Sequence, residues 1–250
     1  MWNKKGFAVL VLAICGGISA NTASAALVTA SAFSGVQTNF DANILNNDLV
    51  ENGSAALSGV TTNGSVSTYP GDVAPANSFD HLTDGIASSG HDGINDISGD
   101  TYFDTASFST NPSITYSFAS PTGVSLSSVN VISGWANNPP FSHQKYQVLV
   151  SFVGSPAAFV SLANIDFDPW ASNPAGPGGS SSTQVTLTDN AGALATGVAA
   201  IQFKFLDHGQ PGGQVFREID VTGAAVSVVP EPASLSLLAI GGLTLLRRRK

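Results

Sequence analysis

The sequence predicts an all-β protein, an antiparallel β-sandwich, and three observations carry that reading. From position 113 onward apolar and polar residues alternate with the period of two that sets one face of a strand against a core, as in Ile114, Tyr116 and Phe118. The alternating runs are separated by Pro, Gly and Asn clusters, residues that end strands and build turns. The body keeps no helical period over as much as ten residues, and only 10% of the chain is charged. Helix bundles and coiled coils carry far more Lys and Glu on their surfaces.

In chain order, the first segment reads as a secretory signal. Lys4 and Lys5 give a positive start, Gly6 to Ile18 an apolar run, and Ala23-Ser24-Ala25 a small-x-small cleavage pattern after Ala25. The sole cysteine, Cys15, lies inside the apolar run. A lipoprotein reading would make it the lipid-bearing residue, but Ile14 is bulky where that pattern wants a small residue. Cleavage after Ala25 leaves a chain with no cysteine, hence no disulfides, although it is exported.

Residues 26–229 form the body, of a size that suits one generous sandwich. Its first part is irregular, with turns at 47–53 and 61–64 and short strands around Ala55 to Val60 and Ser65 to Thr68. Six clearer strands follow Ser113. Ile114, Tyr116 and Phe118 share a face, as do Val129, Val131 and Trp135; Tyr146, Val148, Val150 and Phe152; Val185 and Leu187; Ile201, Phe203 and Phe205; and Val215, Ile219 and Val221. Gly-, Ser- and Pro-rich stretches at 71–77 and 173–182 are loops.

Charge excludes several functions. Between Asp41 and Asp220 only Lys145, Lys204 and Arg217 oppose sixteen Asp and Glu, a net of −13. Such a body is repelled by nucleic-acid phosphates and by anionic lipid heads.

After the body, Val229-Pro230-Glu231-Pro232 leads into the apolar segment 233–246 and then Arg247-Arg248-Arg249-Lys250. As a helix the segment would rise about 21 Å, short of a bilayer core of roughly 30 Å, so it spans only with snorkelling flanks or a thinned bilayer. The basic end fixes its C-terminus in the cytoplasm and the body outside. This order resembles the PEP-CTERM sorting signal of Gram-negative bacteria that make extracellular polysaccharide. The resemblance implies transient anchoring through 233–246, cleavage near Pro230, Glu231 and Pro232 by an exosortase-type enzyme, and passage of the body to the outer envelope or matrix. An ordinary C-terminal anchor is the alternative, and it too puts the body outside.

Leu82-Thr83-Asp84-Gly85, an acidic loop, the strand near Ser113 to Phe118, a central pair of strands and the closing run Arg217-Glu218-Ile219-Asp220-Val221-Thr222-Gly223 resemble, over about 50–223, the galactose-binding-like jelly roll of discoidin and F5/8 type C modules. The resemblance implies a mostly noncatalytic binder of glycans or other surface ligands, with ligands at loops on one end and often a structural calcium. The chain departs from that family in lacking the usual disulfide and in its long loops near Asn137 and Asn173.

Two constellations bear on chemistry. Asp80, Asp84, Asp92, Asn95, Asp96, Asp100 and Asp104 are interleaved with glycines, and no Lys or Arg occurs from 6 to 144. Calcium wants six to eight such oxygens and would relieve their repulsion; a solvated acidic loop is the other reading. The resemblance implies a metal between the Asp-Gly loop and the closing strand, at Asp84 and Glu218, and with Asp92 and Asp96 of the acidic run the candidate set is Asp84, Asp92, Asp96 and Glu218. The second constellation is aromatic and polar, with Trp135, Asn137 and His143 around one loop and Asp168 and Trp170 in another. Sugar sites pair a flat apolar face with a few amide, carboxylate or imidazole groups. Trp135 continues the face of Val129 and Val131 and reads as core. Trp170, Asp168, Asn137 and His143 are the candidate ligand-binding residues.

Enzyme signatures are thin. Gly-x-Ser-x-Gly, His-Glu-x-x-His, Cys-x-x-Cys and a phosphate-cradling loop do not occur. Asp166 with Asp168 could in principle act as glycosidase acid and base, yet coincidental Asp pairs are expected in so acidic a body. The residues favour a noncatalytic binder of a neutral or weakly charged polysaccharide, over a passive matrix protein or a polysaccharide-processing enzyme.

Overall fold

A computed structural model of the chain describes residues 27–34, 48–67, 79–85, 101–135, 139–168, 181–190, 192–209 and 213–227. The strands are β1 (Leu27–Ser34), β2 (Leu57–Asn63), β3 (Thr101–Phe103), β4 (Ser113–Phe118), β5 (Val124–Trp135), β6 (Gln144–Phe152), β7 (Ser155–Phe167), β8 (Ser181–Thr188), β9 (Ala195–Phe205) and β10 (Gln214–Ala225). Helical content among the described residues is limited to one short helix, α1 (Thr105–Phe108), and two 3₁₀ segments, Phe79–Thr83 and Pro139–Ser142. Asp104 caps α1 by accepting from the Ser107 N–H.

All strand pairs are antiparallel, and they form two leaves of a sandwich, β3-β10-β5-β8-β1 and β2-β4-β9-β6-β7. The leaves are continuous through β5. Its start, Val124 to Leu126, pairs with β9, whereas Val129 to Trp135 pairs with β8, and β10 runs along its other edge throughout. The corner requires glycine. Gly123 has a φ of +76, and a Cβ there would lie 2.5 Å from the carbonyl carbon of Gly197, so only bare backbones can approach so closely.

The inward faces form one apolar cluster, and aromatic rings join the leaves. Phe103 of β3 stacks on Phe205 of β9 with centroids 4.5 Å apart, Phe205 meets Phe216 of β10 at 4.8 Å, and Tyr146 of β6 meets Phe216 edge-on at 5.8 Å. Val129, Val131, Val185, Leu187, Ile201, Phe203, Ile219 and Val221 are buried in the same cluster, as the alternation predicts. All six strands expected after Ser113 are present.

The structure corrects the sequence reading at five points, the first being that Ser181 and Ser182, read as the end of a loop, already belong to β8. A register shift in β10 between Phe216 and Glu218, the mark of a bulge, changes which side chains face inward; Phe216 joins the main cluster and Val215, although buried, does not. Thr61 to Asn63 belongs to β2 rather than to a turn. Ser65 to Ser67 is not a strand; the Ser65 N–H is instead held by the Thr110 hydroxyl at 3.0 Å. β1, β3 and β7 were not foreseen. The outer half of β7 escapes alternation because Pro156, Ala157, Ala158 and Val160 are exposed despite being apolar.

Without disulfides, polar clamps fasten the loops to the sheet. Asp48 accepts the N–H groups of Val50 and Glu51 through Oδ1 and that of Val221 through Oδ2, each at 2.7 Å. The Leu49 N–H donates to the Val221 carbonyl at 2.9 Å. One short segment thus satisfies the edge of β10 beyond β3, an edge that would otherwise invite pairing with another chain.

Candidate functional site

Strand direction brings several chain ends to one pole of the sandwich. β5 and β7 finish there, β6, β8 and β10 begin there, and β9 delivers Leu206 to His208 to it. The backbone groups left over at these strand ends are taken up by buried amides and hydroxyls. The Gln144 side chain donates to the carbonyls of Val131 and Thr183, both at 3.0 Å, and the Thr183 and Ser133 hydroxyls donate to the Ser142 carbonyl at 2.6 and 3.1 Å. Gln214 accepts the Lys145 N–H at 2.9 Å and donates to the Leu206 carbonyl at 2.6 Å. The Arg217 side chain, buried at the bulge, donates from Nε to the Gly134 carbonyl at 2.7 Å.

This plug fixes His143 at the entry to β6. Its ring is buried and stacks on His208 with centroids 4.8 Å apart and planes 10° from parallel. Nε2 donates to Asp166 Oδ1 at 2.7 Å, Lys145 Nζ lies 3.3 Å from Asp166 Oδ2, and Asp168 Oδ2 lies 3.9 Å from Nδ1. Among the described residues Nδ1 has no hydrogen-bond partner. The cluster follows from the ladder, since Lys145 and Asp166 are direct partners across β6 and β7.

Charges here are offset locally. Partial burial pushes the Asp166 carboxyl up, but the bonds from His143 and Lys145 outweigh it and hold the group below its usual range. Burial pushes the His208 imidazole down, its bond to the Gly213 carbonyl pushes the other way, and neighbouring His143 lowers it further. The Asp166 side chain is 57% exposed while that of His143 is only 6% exposed. The surface therefore presents carboxylate and ammonium groups oriented from beneath by a buried imidazole.

Of the ligand candidates, the structure brings His143 and Asp168 together. His143 is buried, with Nε2 held by Asp166. Asn137 and Trp170 lie outside the described residues, as does the side chain of Trp135; the described residues that flank them in sequence, Trp135, Pro139, Asp168 and Ser181, are at this pole. Asp166, Lys145 and His208 complete the cluster. The sequence signal for Lys145 and Asp166 was the spacing His143-x-Lys145 and Asp166-x-Asp168, which acquires meaning once the strand register is known; no spacing marked His208.

Of the metal candidates, Asp92 and Asp96 lie outside the described residues. Asp84 Oδ2 lies 3.0 Å from His81 Nδ1. Glu218 is buried in β10, against which the 79–83 segment packs. Burial pushes the Tyr116 hydroxyl well up, and Glu218, Asp48 and Asp80 act on it in the same direction. The acidic segment and the closing strand thus share a neighbourhood, but among the described residues no group of three or more His, Cys, Asp or Glu is arranged to hold a metal ion.

Comparison with known proteins adds the C-terminal assignment. Residues 228–250 match the PEP-CTERM protein-sorting motif. The motif contains Pro230, Glu231, Pro232 and the Arg247, Arg248 and Arg249 run, and it marks the chain as exported and sorted to the cell envelope, with processing by an exosortase at its C-terminus. No helix among the described residues is long and apolar enough to cross a membrane. No curated protein matches the chain. Among solved structures, a CBM32 module of Clostridium perfringens in complex with GalNAc-β-1,3-galactose aligns at 14% identity and TM-score 0.40, over 65% of this chain and 94% of the other. A chitosan-binding module from a Paenibacillus chitosanase/glucanase aligns at 14% identity and TM-score 0.39, over 71% and 100%. An F5/8 type C domain from Bacteroides fragilis aligns at 12% identity and TM-score 0.31, over 51% and 73%.

Proposed function

We propose that the protein is a noncatalytic carbohydrate-binding component of the outer envelope or extracellular matrix of a Gram-negative bacterium, binding a neutral or weakly charged polysaccharide at the His143 pole. The observation that carries this reading is the ordered set of Asp166, Lys145 and Asp168 over the buried His143–His208 stack. Hydroxyl groups of a sugar need fixed acceptors and donors side by side, and this pole offers carboxylates and an ammonium whose positions are set by buried partners. Trp170 and Asn137, close in sequence to Asp168 and Pro139 of the same pole, would add the stacking face and the amide. Asp166 lies below its usual range, which suits a permanent acceptor and not a glycosidase general acid, whose carboxyl must stay protonated.

The test is binding of the exported protein to neutral polysaccharides, with release of soluble products followed in the same samples. Trp170→Ala and Asp166→Asn should each weaken binding about 10-fold or more, the loss of one buried-interface contact, without changing the melting temperature by more than a degree or two. Binding untouched by both substitutions would remove the pole from the account. Product release would replace the binder with an enzyme.

A further inference from the structure

The pole opposite His143 also has a distinctive chemistry. β6 and β7 meet there in a tight hairpin, Phe152 opposite Ser155, with Val153 and Gly154 at its tip. From 146 to 165 there is no charged residue. Val153 and Val160 are 39% and 45% exposed, and Pro156, Ala157 and Ala158 between them face solvent too. Beyond β6, the other edge of β7 has no strand partner among the described residues. An apolar, uncharged edge of this kind is one that proteins ordinarily guard.

The place where the chain leaves the sandwich identifies what meets this edge. Ala225 of β10 is opposite Val124, Val124 is opposite Val198, Val198 is opposite Phe152, and Phe152 is opposite Ser155. A single cross-strand row therefore runs from the end of β10 to the hairpin tip, four steps of about 4.8 Å each. The exit is pinned at this row, because the Val226 N–H donates to the Gly123 carbonyl at 3.0 Å and the Thr122 hydroxyl donates to the Val226 carbonyl at 2.6 Å. From Ser227 the apolar tail segment begins at Ala233, and six residues reach at most about 20 Å. The hairpin tip, about 20 Å along this row from the exit, therefore stays within about 40 Å of wherever the tail enters a bilayer.

We propose that, while residues 233–246 are inserted, the β6–β7 hairpin from Phe152 to Val160 rests on the lipid interface and holds the sandwich upright, with the His143 pole directed away from the membrane. The inference rests on insertion of the tail. Lipid fits better than a second copy of the chain, since Pro156 has no N–H to offer an added strand. The contact is apolar rather than electrostatic, since the acidic body gains nothing from anionic heads. Cleavage at the sorting motif removes the tether, and the small apolar tip alone is too weak to retain the body, so docking is a property of the anchored form.

The test uses the chain from residue 26 to 250, which contains no cysteine, reconstituted into neutral phosphatidylcholine vesicles with and without doxyl-labelled lipid. A single environment-sensitive fluorophore is placed by Val153→Cys, and in a second protein by Ala106→Cys, exposed at the His143 pole. The label at 153 should shift to the blue and lose most of its emission to the lipid quencher, and the label at 106 should do neither. A chain recovered in the vesicles with both labels in water overturns the docking but keeps the anchor. A chain that does not float with the vesicles overturns the anchor and the docking with it. Shielding at 153 that appears only at high protein-to-lipid ratio, with cross-links between 153 sites, overturns lipid in favour of a second copy.

Discussion

Asp48 is the group through which mild changes of pH should reach the stability of this fold. Burial pushes its carboxyl from the ordinary 3.8 up to about 6; the bonds from Val221, Val50 and Glu51 oppose that rise, and the nearby Asp220 adds to it. Because the folded value lies above the unfolded one, the native state holds the proton more tightly. The contribution to stability is therefore fully present below about pH 4 and is lost as the pH rises through about 6. A shift of about two units corresponds to about 3 kcal/mol, a large part of the roughly 5–15 kcal/mol that holds a domain together. Asp48→Asn removes the ionisation and turns an amide N–H toward the Val221 N–H, which costs about 1–3 kcal/mol for a buried donor left unmet. Urea unfolding of the exported body from pH 4 to 7.5 should show stability falling with pH in the natural protein and a lower, flatter profile in the variant, the two converging near neutrality. Asp104 and Asp166, both held below their usual range, contribute stability that is lost only as the pH falls further, and they act equally in both proteins. Parallel profiles across pH 4 to 7 would refute the reasoning.

Phe103 stacks on Phe205 of the opposite leaf and meets Phe216 of its own, so Phe103→Ala should cost about 3–5 kcal/mol, read as a lower urea midpoint at unchanged slope; a loss under 1 kcal/mol would mean that the aromatic cluster does not join the leaves. Mass spectrometry of the envelope-borne protein in its own host should show a C-terminus without Arg247 to Lys250, and full-length termini alone would exclude processing. The proposed calcium should raise the melting temperature relative to excess chelator by mass action on the native state, and Asp84→Ala should abolish the difference; identical melting curves would leave the acids solvated.

The strands of the second half could be read from the sequence because each buries alternate residues on a single core, and alternation is a local property. Pairing is not local, and the site depends on pairing. Nothing near His143 announces that Asp166 will stand beside it, since 22 positions intervene and only the β6–β7 register closes them. The same dependence explains Val215 and Phe216. Both are apolar, so the period of two continues through either, and the bulge beside Arg217 alone decides which enters the core. β7 failed to register for the opposite reason. Alternation marks a strand only where one face is wet and polar, and Pro156 to Val160 is apolar on both faces. On that account the sequence signal was lost at β7 because the segment serves a surface other than water, and the hairpin that defeats periodicity is also the one whose exposure asks for a partner.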